Sequence, residues 1–163
     1  MDNASEKRRR GRPRKTERPE GEVLVGELPL MTYEDVVDLR AALFTKKIDL
    51  GKSGITKEQL TRLKEIFGLD YDTLSAMLAV TNRALHLKKG RDLLNRGISE
   101  RIIAIAEVFS LGYNMFRDRE VFHTWLRAPR RSLGGLVPLH LMESLAGVEE
   151  VKLELLRLDE FML

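Results

Sequence analysis

Ile98, Ile102, Ile105 and Phe109 recur at i, i+4, i+7 and i+11, a spacing that lines one face of a helix and cannot line one face of a strand. It predicts the longest helix of the chain, ending near Gly112. The segments around it carry helix signals of their own. Thr32 can cap a helix with Asp35 three residues on, with Val36, Leu39 and Leu43 as its apolar face and Lys46 and Lys47 at its C-terminal end. Gly51-Lys-Ser-Gly54 breaks it. Thr56-Lys-Glu-Gln59 is a capping box for the next helix, which turns Leu60, Leu63 and Phe67 inward and ends at Gly68. Asp70 caps a short helix through Leu78, and Thr81 caps another through about Lys89. Asn95-Arg-Gly97 is a turn or cap. Arg117 to Arg127 forms a helix with Val121, Phe122, Trp125 and Leu126 as its stripe, stopped by Pro129. Ser132 to Gly135 is a loop, Pro138 opens a helix continued by Leu139 to Leu145, Gly147 breaks it, and Val148 to about Asp159 is the last helix. No strand pattern follows residue 30. The expected fold is all-α, with seven or eight short helices in two packed halves.

Several classes of function fall away. No apolar run approaches the ~20 residues that span a bilayer, so no membrane is expected as partner. The N-terminus has basic residues without an apolar stretch behind them, unlike a secretory signal. The absence of cysteine excludes thiolate metal sites and cysteine catalysis, and fits a reducing cytoplasm. The three histidines, His86, His123 and His140, lack metal-ligand spacing. Gly134-Gly135 is too short for a nucleotide loop. His140 with Glu143 at i+3 reads as a surface contact rather than a catalytic dyad. The chain is expected to be no enzyme and to need no cofactor.

The charge is unevenly placed. Residues 1–20 hold eight Lys or Arg and four acids, a net +4, and the remainder is −1. A basic arm on a near-neutral body suggests a polyanionic partner. Residues 1 to about 22 have almost no apolar side chains and are expected to be disordered alone. Val23 to Val25 reads as a single edge strand or a tether. Within the arm, Arg10-Gly11-Arg12-Pro13-Arg14-Lys15 has a specific physical meaning. The A·T minor groove is narrow and negative, and admits extended backbone with arginines at its floor. Gly11 leaves no side chain to clash and Pro13 keeps the chain extended. The core Arg-Gly-Arg-Pro resembles the AT-hook; a plain solvated basic tail is the other reading.

The segment Asp70 to Gly90 has helix-turn-helix spacing. Leu74, Met77, Leu78 and Leu85 face the core, while Asn82, Arg83, His86 and Lys89 share the outer face of the second helix, all apt for base edges or phosphates. An ordinary polar helix face would look the same. Ala79 stands where this turn usually has glycine for a positive φ, at a cost of about 1 kcal/mol.

From Arg117 to Leu163 the resemblance becomes specific. Trp125-Leu126, Pro129, Leu133-Gly134-Gly135 and Pro138-Leu139 resemble, position by position, the toxin-binding domain of the Xre/MbcA/ParS antitoxins. Ile55 to Gly68, the helix-turn-helix and Ser99-Glu100-Arg101 also look like this family's Xre-like half, so the resemblance covers about 33–163. Val137 departs from it by removing a side-chain cap before Pro138, and the chain ends Asp159-Glu-Phe-Met-Leu163 where a glycine is more usual. The resemblance implies an antitoxin of a type II toxin–antitoxin system, whose partner is a RES-domain toxin that consumes NAD. It also implies operator binding and autorepression, in the bacterial cytoplasm and at the nucleoid. The division expected is a basic arm over 1–28, a helical region with the helix-turn-helix over 29–114 and a toxin-binding domain over 115–163. The toxin is expected to meet Leu133, Gly134, Gly135, Pro138, Asp159, Glu160, Phe161 and Leu163, although for Trp125 and Leu133 core packing is the stronger role. Operator half-sites imply a homodimer. A stand-alone helix-turn-helix and AT-hook transcription regulator is the alternative.

Overall fold

A computed structural model describes residues 29–162. Arg10 to Lys15, Val23 to Val25 and Leu163 lie outside the described residues. Nine α-helices and two short 3₁₀ turns make up the described part: α1 Tyr33–Asp38, α2 Phe44–Ser53, α3 Lys57–Phe67, α4 Tyr71–Leu78, α5 Asn82–Leu87, α6 Arg96–Phe116, α7 Arg119–Arg127, α8 Pro138–Leu141 and α9 Leu145–Met162, with 3₁₀ turns at Leu39–Ala41 and Arg131–Leu133. The described residues form no strand; two isolated bridges, Thr56 to Leu93 and Arg130 to Leu136, pin loops. The all-α expectation holds.

The start signals act as their chemistry requires. The Thr32–Asp35 and Thr56–Gln59 boxes close in both directions, and Asp70, Thr81 and Asn95 accept amide hydrogen bonds at the starts of α4, α5 and α6. These contacts span three residues, so nothing distant can override them.

The misread boundaries share a different cause. The helix from Thr32 does not run to Lys47: it ends at Asp38, tightens into the 3₁₀ turn, and extended backbone at Ala42 and Leu43 separates it from α2. Leu43 is therefore an exposed N-cap rather than part of an apolar face, and Lys46 and Lys47 open a helix instead of closing one. Gly51 does not break α2. It lies inside it, packed closely on Glu100 and Ile103 of α6, and only Gly54 ends the helix. The helix after Thr81 stops at Leu87, two residues short of Lys89.

The longest helix, α6, passes Gly112 and ends at Phe116. A Cβ at Gly112 would stand 2.1 Å from Phe122 Cζ, so the glycine serves helix packing, not termination. Arg117 is no helix start; it adopts a left-handed conformation after α6, and Asp118 caps α7. Val121 leaves the predicted stripe and is exposed, whereas Phe122, Trp125 and Leu126 are buried. Pro138 opens α8 as expected, but α8 ends at Leu141 and Gly147 sits within α9. A Cβ there would stand 1.7 Å from the Leu141 carbonyl oxygen, which explains why a helix-weakening residue holds that place.

The buried apolar side chains form one cluster running from Leu30 to Leu155, and α6 is its axis. Phe109 stacks on Phe67 of α3 with centroids 4.0 Å apart and meets Phe122 of α7 edge-on at 5.6 Å. Buried serines on α6 tie down the N-terminal segments: Ser99 Oγ accepts from the Ile55 amide at 2.9 Å, and Ser110 Oγ accepts from the Arg40 amide at 2.9 Å while donating to the Val37 carbonyl. Arg101, also on α6, donates to the Met77 carbonyl at the end of α4 and to the Glu143 carbonyl just before α9 at 2.6 Å.

Candidate functional site

Two surfaces hold the residues singled out by the sequence. The first is built by α4 and α5. Leu74, Met77, Leu78 and Leu85 are buried and seat the pair on the core. Ala79 has φ 54 and ψ 42, the left-handed turn conformation expected there, adopted without glycine. Asn82, Arg83 and His86 lie on α5; Lys89 lies beyond its end, so the four do not form one helical face. The Asn82 side-chain amide donates to the Asp72 carboxylate, and its oxygen is buried without a partner. The His86 ring leans on Tyr71 of α4, centroids 4.8 Å apart. Arg83 is exposed.

Sequence reasoning missed the neighbour of this surface. The stretch after α5 folds back on the start of α3, where the Lys57 amide donates to Asp92 and the Glu58 amide to Gly90. Lys88, Lys89 and Gly90 thereby join Lys57, Arg62, Glu58 and Glu65 around an open groove of about 630 Å³. The Lys57 ammonium sits 4.7 Å above the Tyr71 ring. The hydroxyl of Thr61 leads in holding the Tyr71 phenol below its ordinary range, and Lys57 and Lys64 add to this against the effect of burial. No local signal marks this groove, because its two walls are about 30 residues apart in sequence.

The second surface is built by α7, the loop to α8, and α9. Trp125 and Phe122 are buried, with the Arg130 guanidinium 5.2 Å above the Trp125 ring and donating to the Trp125 carbonyl at 3.0 Å. Leu133 and Pro138 are buried, as packing roles require. Gly134 and Gly135 are exposed in a left-handed turn, φ 67 and 79. Val137 supplies no side-chain cap to α8. Phe116, Val121, Thr124 and Arg130 border a shallow apolar groove beside Trp125. At the far end of α9, Asp159 pairs with Arg40 at 2.6 Å, Glu160 is exposed and Phe161 is 87% exposed.

His123 is no outward-facing group. It is buried between α3, α6 and α7, with Nε2 3.0 Å from the Tyr113 hydroxyl. That hydroxyl donates to the Ile66 carbonyl at 2.8 Å, so it must accept from His123, which places the proton of the neutral ring on Nε2. Burial, then the charges of Arg119 and Arg127, lower the His123 pKa against the opposing pull of Glu120. His140 is exposed. Among the described residues no three histidines or carboxylates gather to hold a metal ion, and no helix is long and apolar enough to cross a membrane.

Residues 111–160 match the family model of the antitoxin Xre/MbcA/ParS C-terminal toxin-binding domain. The matched span runs from the last turns of α6 to Glu160 in α9, so it takes in α7, the loop and α8 but stops one residue before Phe161. The resemblance carried by Trp125-Leu126, Leu133-Gly134-Gly135 and Pro138-Leu139 is thereby borne out. The match does not extend to the helix-turn-helix. No curated protein matches the chain.

Proposed function

We propose that this chain, whose C-terminal third carries an antitoxin toxin-binding domain, neutralises a RES-domain toxin that consumes NAD by covering the toxin's active-site cleft. One observation carries the reading: the matched domain closes within α9 at the exposed Glu160, and the next residue, Phe161, is almost fully exposed, so the last described turn presents acid and aromatic groups to solvent. A cleft that binds NAD must hold a pyrophosphate and an aromatic ring, so it offers cations and an apolar slot. Asp159 and Glu160 supply negative charge to such a cleft, and Phe161 supplies a ring. Gly134 and Gly135 are exposed and offer the toxin a second point of contact. Leu133 and Pro138 hold the loop and α8 in place from beneath. The antitoxin match favours a regulatory rather than a catalytic chain.

The same proposal assigns operator binding to residues 29–114 and the arm, 1–28, with 115–163 as the toxin-binding unit. Arg83, His86 and Asn82 on α5, with Lys89 beyond it, face the DNA as a homodimer in the bacterial cytoplasm, and Arg10 to Arg14 track an A·T minor groove. Asn82 reaches a base only by exchanging Asp72 for it. A stand-alone transcription regulator is favoured instead by the basic groove beside α5 if no toxin gene accompanies this one.

Removing residues 159–163 separates the readings. Folding should persist, because the removed segment contributes one surface ion pair worth less than about 1 kcal/mol. NAD loss caused by the toxin should resume, with the residual inhibition partly competitive with NAD. Full silencing by the truncated chain would refute the plug.

A further inference from the structure

Outside the matched domain, the junction before α2 exposes two large apolar side chains in succession, Leu43 at 66% and Phe44 at 74%. Exposing such neighbours in a small helical protein costs hydrophobic free energy unless something covers them. Their position suggests what does. Three residues before Leu43, Arg40 pairs with Asp159 of α9 at 2.6 Å. Three residues after Phe44, Lys47 pairs at 3.0 Å with Glu107 of α6, which also takes Lys152 of α9 at 3.0 Å. The two links run antiparallel, from 40 to 47 on one side and from 159 to 152 on the other. On α9, Leu156 stands four residues after Lys152 and three before Asp159, on their side of the helix, and is 38% exposed. Leu43 and Phe44 thus lie between Arg40 and Lys47, and Leu156 lies between their counterparts Asp159 and Lys152 on α9, with Phe161 about 200° round the helix from Asp159.

We infer that the toxin-binding surface continues past the C-terminal domain onto Leu43 and Phe44, so that the toxin rests on the α2 junction while the end of α9 enters its cleft. This rests on the proposed antitoxin function. The occupant is the toxin because Leu156 and Asp159 belong to the matched toxin-binding domain, and the α2 junction is tied to it directly by the Arg40–Asp159 salt bridge. The surface is mixed in the way partner surfaces are: an apolar centre rimmed by Arg40, Lys47 and Lys152 on one hand and Asp159 and Glu107 on the other. The junction anchors the body of the toxin; the chain end blocks the reaction.

The test uses the full chain carrying Leu43→Ser and Phe44→Ser, a RES-domain protein from the same genome with an inactivating substitution, and calorimetry. Both positions are exposed, so circular dichroism should stay as in the unchanged chain, and the melting temperature should not fall, because a serine hydroxyl at the α2 N-cap adds a cap where Leu43 has none. Affinity for the toxin should fall at least tenfold, while a chain lacking residues 159–163 keeps measurable affinity through the junction. Unchanged affinity in the double variant, with the unchanged chain binding, would overturn this inference alone. If light scattering shows that the double variant loses a dimer while keeping its toxin affinity, the patch belongs to a second copy and the inference also fails. No binding by the unchanged chain would overturn the antitoxin function itself. A Leu43→Ile, Phe44→Leu variant should restore most of the affinity, as an apolar contact requires.

Discussion

The helix pair α4 and α5 and the C-terminal helices α7 to α9 are both built on α6, but they are held by different forces. α4 and α5 rest on aliphatic side chains, Leu74, Met77, Leu78 and Leu85, and α5 is six residues long. The C-terminal helices rest on aromatic rings locked edge to face, Phe122 against Phe109 and Tyr113, with Trp125 beneath Arg130. Guanidinium groups then bond them to backbone: Arg119 to the Glu65 carbonyl and Arg127 to the Gly68 carbonyl, both at 2.9 Å. A platform that must present a rigid end to a partner needs such cross-linking. The α4–α5 pair has one such bond among the described residues, from Arg101 to the Met77 carbonyl of α4, and none to α5.

The largest expected effect tests that contrast directly. Phe122→Ala should cost about 3–5 kcal/mol in urea unfolding, and Leu85→Ala should fall near the lower end of about 2–5 kcal/mol. Equal losses would remove the distinction between the two regions. Each region also carries one local defect that a substitution can repair. Ala79→Gly relieves the left-handed turn and should gain up to about 1 kcal/mol. Val137→Thr offers α8 a capping hydroxyl and should gain about 0.5–1 kcal/mol, less if burial of Val137 is lost. A gain at 137 but none at 79 would mean that the turn has relaxed around alanine.

The smallest effect is pH-dependent and belongs to the C-terminal platform alone. The pKa of His123 is lowered in the folded chain, so the unfolded chain takes up its proton first as pH falls. The stability from the neutral ring is fully present above about pH 6.5 and is lost as pH drops through 6.5 toward the folded value. Glu107 acts lower in the range: burial raises its pKa, but Lys152 and Lys47 outweigh this and lower it, so its contribution is lost below about pH 4.5. Denaturant midpoints between pH 7 and 5 should therefore decline, and His123→Gln should flatten that decline. A flat profile in the unchanged chain would place His123 in contact with water.

What the sequence made legible was chemistry confined to a few neighbours. Thr32, Thr56, Asp70 and Thr81 each start a helix where expected because a cap is decided within three residues. Gly51, Gly112 and Gly147 read as ends and are interior; at Gly112 and Gly147 glycine marks close approach by Phe122 and the Leu141 carbonyl, while at Gly51 a Cβ would make only ordinary contact with Ile103. Leu43 and Val121 fit an apolar stripe in sequence yet face solvent, since only the packed neighbours decide which side of a helix is covered. The α7 to α9 residues were readable through a family pattern that the domain match bears out, while the groove joining Lys57 to Lys89 needed the folded chain.

Arg101 gives the two regions a shared rhythm of opening. Its guanidinium holds a carbonyl at the end of α4 and another ahead of α9, so the turn at Ala79 cannot swing away without also loosening the start of α9. Amide protons in these two places, 66 residues apart in sequence at Met77 and Glu143, should then exchange with solvent in one event rather than two. A protease that waits for such openings would gain access to both segments at once, and the lifetime of the α4–α5 pair would be that of the start of α9.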